Sequence, residues 1–137
     1  MILEGAIRIP FKYAAGRAGS RFLVALRDGM RIVASRCETC ARVAVPLRTL
    51  CPACGGDDLA EVEVGPGGSV IAWTQTPDAG SYALVRLDGA DTAFLHRLVA
   101  APAGCRIGQR VRVRFASSRR ASILDIDGFE PVTGEGR

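Results

Sequence analysis

The spacing of apolar residues changes character several times along this chain, and each change marks an element. In IRIPFKY, Ile7, Ile9 and Phe11 alternate and Pro10 withholds a backbone donor, which predicts an extended arm. In GSRFLVALRDGM, residues 19–30, the spacing becomes helical. Phe22, Leu23 and Leu26 form one stripe, Ser20 is placed to cap the N-terminus, and Gly29 sits where a left-handed residue would end the helix. A helix of about two turns is not stable alone in water, so its stripe must lie against the rest of the chain or against a partner. MRIVAS then predicts a strand, and RVAVPL and LAEVEV predict two further β segments.

GPGG at 65–68 combines a turn signal with a break in periodicity and is the clearest boundary. Five strands are expected after it, over residues 69–76, 82–87, 92–100, 110–116 and 122–129, with DGAD at 88–91 as a tight hairpin between the second and third. The fourth is the sharpest: Arg110, Arg112 and Arg114 face one way, Val111, Val113 and Phe115 the other. Five short antiparallel strands with a longer connection after the third suit a small barrel of the OB type. The expected fold is mainly β, with an N-terminal arm and short helix (1–35), a cysteine module (36–65) and a five-stranded OB barrel (66–137).

Four of the five cysteines, Cys37, Cys40, Cys51 and Cys54, form two C-x2-C pairs with ten residues between them. Two thiolates three positions apart on a turn bind one ion, and two such knuckles joined by a hairpin complete a tetrahedron. A closed set of four thiolates leaves no position for water or substrate, so the expected ion is a structural zinc. CPACGG is similar to a rubredoxin knuckle, which keeps iron open as the alternative. Gly55 follows the second pair, where a knuckle commonly needs positive φ. Cys105 has neither His nor Asp beside it in sequence. His96, the only histidine, falls on an expected strand, where packing or a hydrogen bond is its expected role. No Ser/His/Asp set, carboxylate pair or phosphate-cradling Gly loop can be assembled, and no catalytic residue is expected.

At 137 residues, with 48% hydrophobic and 23% charged, the chain has room for one compact unit or two small modules sharing an interface. No apolar run approaches the ~20 residues that span a bilayer. Glu4 and Pro10 interrupt the stretch that a signal peptide would keep apolar, so a reducing, cytoplasmic setting is expected, in which paired C-x2-C motifs bind metal. Of 18 basic residues Lys12 alone is lysine. Arginine suits the phosphates of nucleic acid or of a cofactor, although the excess reads equally as a compositional habit of the chain. A zinc ribbon joined to an OB barrel would suit single-stranded nucleic acid, with Trp73, Tyr82 and Phe94 for stacking and Arg110, Arg112, Arg114, Arg119 and Arg120 as a basic edge. Aromatics make up only 6% of the chain, too few to stack bases once a core is filled, so nucleic acid is the less favoured class.

Taken in order, GSRFLVALRDGMRIVASRCETC, VPLRTLCPACG, GSVIAWTQT and RIGQRVRVRF followed by GFEPV resemble the DUF35 family of zinc-ribbon plus OB-fold proteins associated with acyl-CoA metabolism, over residues 8–132. The resemblance implies a non-catalytic accessory subunit that binds a thiolase-superfamily enzyme and helps seat its CoA thioester. The reaction so implied is degradative C–C cleavage by thiolysis or, alternatively, by a thiolase-like retro-aldolase, with the partner supplying the catalytic groups. It further implies that the arm and helix embrace the partner, with Phe22, Leu23 and Leu26 in contact. Arg110, Arg112 and Arg114 become candidates for CoA phosphates, and Trp73 and His96 for the shared pocket, with core packing the expected fate of Trp73. Two places depart from the family. Ala41 follows the first pair where Gly is common, so it either takes a left-handed φ or the knuckle opens differently, and VPLR stands where a double proline is common.

Overall fold

The computed structural model describes residues 1–78, 80–99 and 105–132. Residues 1–15 carry no regular element, and the arm leaves Ile7, Ile9, Phe11 and Tyr13 between 73% and 89% exposed. Helix α1 (Gly16–Gly29) begins four residues before the expected start, so Ser20 lies inside it. Ala15 precedes it without a side-chain cap, and Met30, not Gly29, takes the left-handed conformation (φ 49) at its end. The final carbonyls are held by the chain: Arg31 N–H donates to the Ala25 carbonyl at 3.2 Å, and Arg119 Nε donates to the Arg27 carbonyl at 3.0 Å.

Phe22 and Leu26 are 3% and 0% exposed, and Leu23 is half-buried against the same core. The expectation that this stripe contacts a partner is therefore corrected. The helix packs on strand β1 (Ile32–Cys37), and its apolar face is consumed inside the chain. β1 is the centre of a three-stranded sheet of order β2-β1-β3, flanked by β2 (Val43–Ala44) and β3 (Leu59–Val64), both antiparallel to it. Its first four residues, Ile32 to Ser35, are all buried, so both faces of the strand are covered. The strand also runs through the expected boundary at 35/36, joining helix and ribbon.

After the left-handed Gly65 (φ 73), the chain forms a closed barrel of order β4-β5-β6-β8-β7. The strands are β4 (Gly67–Thr76), β5 (Gly80–Leu87), β6 (Ala93–Leu98), β7 (Arg110–Phe115) and β8 (Ile126–Pro131). Four expected strands are present with small shifts. Residue 100 of the expected third strand, and residues 101–104 of the connection after it, lie outside the described residues. The fifth starts four residues late because Ser122 and Asp125 form a capping box around a 3₁₀ turn over Ile123–Asp125. The Asp125 carboxylate, 2% exposed, accepts from the backbone N–H groups of Arg120, Ala121 and Ser122, which fixes a turn with Ala121 at φ 61. β6 and β8 run parallel and, among the described residues, pair only at Leu98 and Phe129. Gly128 permits that approach, since a Cβ there would stand 2.8 Å from the Arg97 carbonyl oxygen.

Ribbon and barrel are clasped together. Val43 N–H donates to Asp91 Oδ2 at 2.8 Å and its carbonyl accepts from Asp91 N–H at 2.9 Å, while Thr92 Oγ1 exchanges bonds with the backbone of Val45. Helix, β1 and barrel share one apolar cluster, and the Phe22, Phe94 and Phe129 rings run through it at centroid spacings of 6.3 and 6.4 Å. Among the described residues no helix is long and apolar enough to cross a membrane. Because Leu26 is enclosed by this core, Leu26→Ala should cost about 2–5 kcal/mol in urea unfolding. A loss within the scatter of surface substitutions would show that the helix is not part of the core.

Candidate functional site

The four paired cysteines converge. Cys37 ends β1, and the Sγ atoms of Cys37, Cys40, Cys51 and Cys54 all lie within 4.8 Å of one another. Cys37 and Cys54 are 3.6 Å apart, as are Cys40 and Cys51. A tetrahedron of thiolates at ~2.3 Å from zinc has edges of about 3.8 Å, so the cage has the right size for one ion.

The two knuckles are built alike. Cys37 N–H donates to the Arg42 carbonyl and Ala41 N–H to the Cys37 carbonyl, each at 2.8 Å. Cys51 N–H donates to the Gly56 carbonyl at 2.8 Å, and Gly55 N–H to the Cys51 carbonyl at 2.9 Å. Ala41 (φ 61) therefore adopts the left-handed conformation of its counterpart Gly55 (φ 75), and the first knuckle keeps the same turn. Backbone N–H groups pull the inner sulfurs toward thiolate: that of Cys40 lowers Cys37, and those of Cys54 and Ala53 bring Cys51 down to about 6. At Cys40 the Arg42 N–H acts downward, but burial and the neighbouring sulfurs outweigh it and push the thiol up to about 12. Four thiolates at this spacing need a cation among them, and the donor set fits zinc.

The remaining candidates do not gather around this centre. Arg110 is paired with Asp88, Arg112 with Glu130 and Arg114 with Asp127, so the β7 stripe is neutralised within the chain. Arg119 is bonded to the Arg27 and Ala116 carbonyls. Phe94 is buried and Tyr82 half-buried, which disperses the expected stacking set. Trp73, expected in the core, is 38% exposed although it stands opposite buried Ala83: β7 pairs with β4 over Gly67–Ser69, and beyond Ile71 the strand runs exposed from Ala72 to Gln75. Cys105 is buried against the Arg106 carbonyl, and burial pushes its thiol up.

His96 is 7% exposed, stacked on Phe94 and edge-on to Phe129. Its Nε2 lies 3.2 Å from the Ile123 carbonyl, which can only accept, so Nε2 carries the proton, and buried Nδ1 has no partner among the described residues. Beside it is a cavity of about 270 Å³ lined by Tyr82, Leu95, His96, Arg97, Ile123 and Leu124. The apolar outer wall of this region, with Leu95 63% and Leu124 60% exposed, was not anticipated from sequence. Its signal lies in AFLHRL, where Leu95 takes an outward position and His96 an inward one.

Ribbon, barrel and cysteine cage together define the class. Residues 30–60 match the family model of the ChsH2 rubredoxin-like zinc ribbon domain. The fold is that of the DUF35 proteins. One such structure is the Ltp2-ChsH2(DUF35) aldolase, 25% identical, TM-score 0.64, with the match covering 89% of this chain and 100% of that one. Another is a DUF35 protein of unknown function from Sulfolobus solfataricus, 21% identical, TM-score 0.62, covering 85% and 84%. Among curated proteins none matches the chain.

Two outcomes follow from this geometry. A non-glycine residue held left-handed costs about 1–2 kcal/mol, part of which Gly gives back through its freer unfolded chain, so Ala41→Gly should stabilise the metal-loaded protein by roughly 0.5–1 kcal/mol. An unchanged or lower Tm would show that Ala41 carries no strain. Burial lowers the His96 pKa, with Arg97 adding to the effect and the Ile123 carbonyl and Asp127 opposing it. The unfolded chain therefore takes up a proton at about 6.5 that the fold resists, and stability should fall as pH drops from there toward the folded value. Comparing His96→Phe with wild type isolates this contribution from acid loss of metal; identical slopes below pH ~6.5 would exclude it.

Proposed function

We propose that this chain is a non-catalytic accessory subunit of a thiolase-superfamily enzyme that cleaves C–C bonds in acyl-CoA substrates. The observation that carries the reading is the fold shared with the DUF35 chain of an aldolase, which the match covers along its whole length. That likeness favours a retro-aldolase partner over a thiolytic one. In this reading Cys37, Cys40, Cys51 and Cys54 hold one structural zinc, which fixes the ribbon against β1 and supplies no reaction chemistry. Cys105 is buried with a raised pKa and His96 is committed to the Ile123 carbonyl, so neither is placed to attack a thioester or move a substrate proton. The partner supplies those groups, and the CoA thioester is seated between the two chains. The exposed arm, with Ile7, Ile9 and Phe11 on alternate positions, supports a role in gripping that partner.

Single-stranded nucleic acid is the weaker reading, because three of the five arginines that would follow phosphates, Arg110, Arg112 and Arg114, are already paired with carboxylates, and Arg119 is bonded to backbone carbonyls. Purification of the full chain from its host under non-denaturing conditions tests the proposal. The expected result is about one zinc per chain together with a stoichiometric thiolase-superfamily enzyme that cleaves a CoA thioester. Recovery of oligonucleotides without such an enzyme, or of iron with a red chromophore, would overturn it.

A further inference from the structure

Ala83 and Val85 on β5 are fully buried, so Tyr82, Leu84 and Arg86 point away from the barrel. Strand register extends this outer face in both directions. Ala72, Leu84 and Leu95 stand side by side on β4, β5 and β6, and Leu124 joins the row across the cavity beside Leu95. Leu95 and Leu124 are the most exposed leucines outside the arm, at 63% and 60%. The rows on either side carry Arg86, opposite Ala93, and Arg97, opposite Tyr82.

These two arginines differ from those of β7. Arg110, Arg112 and Arg114 each have a carboxylate, whereas among the described residues neither Arg86 nor Arg97 has one within ion-pair distance. The chain thus neutralises one basic face and leaves another open, and the open one flanks its apolar row. Exposed leucines between unpaired guanidinium groups match a protein surface with an apolar centre and flanking Asp or Glu. A second copy is a poor occupant. A two-fold contact would set this patch against itself and bring Arg86 and Arg97 toward their own equivalents, on a chain already at +4. Nucleic acid is also a poor fit, because leucines in the central row offer no stacking surface.

We infer that the outer face of β4–β5–β6, centred on Leu84 and Leu95 and flanked by Arg86 and Arg97, docks an acidic-rimmed apolar surface of the partner enzyme. The identity of that enzyme rests on the function proposed above; the surface itself does not. The test places photoreactive p-benzoylphenylalanine at Leu95, and at Arg112 as a control, in the full chain expressed in its host. Irradiation should join position 95, but not 112, to one thiolase-superfamily protein identified by mass spectrometry. For that purified enzyme, Leu95→Glu and the pair Arg86→Glu and Arg97→Glu should each raise Kd by about tenfold or more, with zinc content and Tm unchanged. A crosslink from position 95 to a second copy or to nucleic acid, no crosslink, or wild-type affinity in the variants would overturn the inference. If position 95 captures one protein of another class, and the same variants weaken its binding, the docking face stands and the proposed function falls.

Discussion

A strand buried on both faces cannot shift or tilt without breaking contacts on two sides, and β1 is such a strand. Ile32, Val33, Ala34 and Ser35 are all enclosed, with helix α1 packed on the strand and β2 and β3 bonded to its edges. The same strand ends at Cys37, a corner of the sulfur cage. Core packing at one end and metal ligation at the other therefore act on one rigid element. Ser35 extends the coupling sideways, its hydroxyl bonded to the backbone of Arg48 in the loop that leads to the second knuckle. A cation in the cage would hold the ribbon hairpin closed, and the closed hairpin would hold β1 in the core.

The clasp between ribbon and barrel has a functional consequence. Asp91 and Thr92, just before β6, are bonded to the backbone of Val43 and Val45 in the ribbon. The exposed surface of β6 is thereby fixed relative to the cysteine cage. Preorganisation of this kind lowers the ordering cost of association, which suits the accessory role proposed for this chain.

The sequence revealed whatever depends on local spacing. The cysteine cage, β1, the alternation of β7 and four of the five barrel strands were legible because residue type and period specify them. The helix ends were not: Ala15 is a weak cap, and Met30 occupies a conformation that favours Gly. The late start of β8 was legible in principle, since Ser122 and Asp125 have capping-box spacing. The fate of the Phe22 and Leu26 stripe was not, because an apolar stripe states a need for cover without naming the cover. Nor could spacing along β7 announce that Asp88, Asp127 and Glu130 arrive from other elements to neutralise its arginines.

β6 carries the two clearest departures from ordinary strand patterning, Leu95 outside and His96 inside, and they have separate causes. Among the described residues β8 meets β6 at a single residue pair, so most of that edge of β6 lacks a ladder partner there. The bond from His96 Nε2 to the Ile123 carbonyl crosses the gap and ties the strand to the 3₁₀ turn, which the Asp125 carboxylate in turn holds in place. An apolar residue at 96 would pack as well against Phe94 and Phe129 but could not make that bond. A buried imidazole with one unmet nitrogen among the described residues is thus the local cost of closing a barrel at β6 and β8, which pair at one position. Leu95 needs a different account. An exposed leucine beside arginines that have no carboxylate partner among the described residues has a physical rationale once another surface covers it, as inferred above.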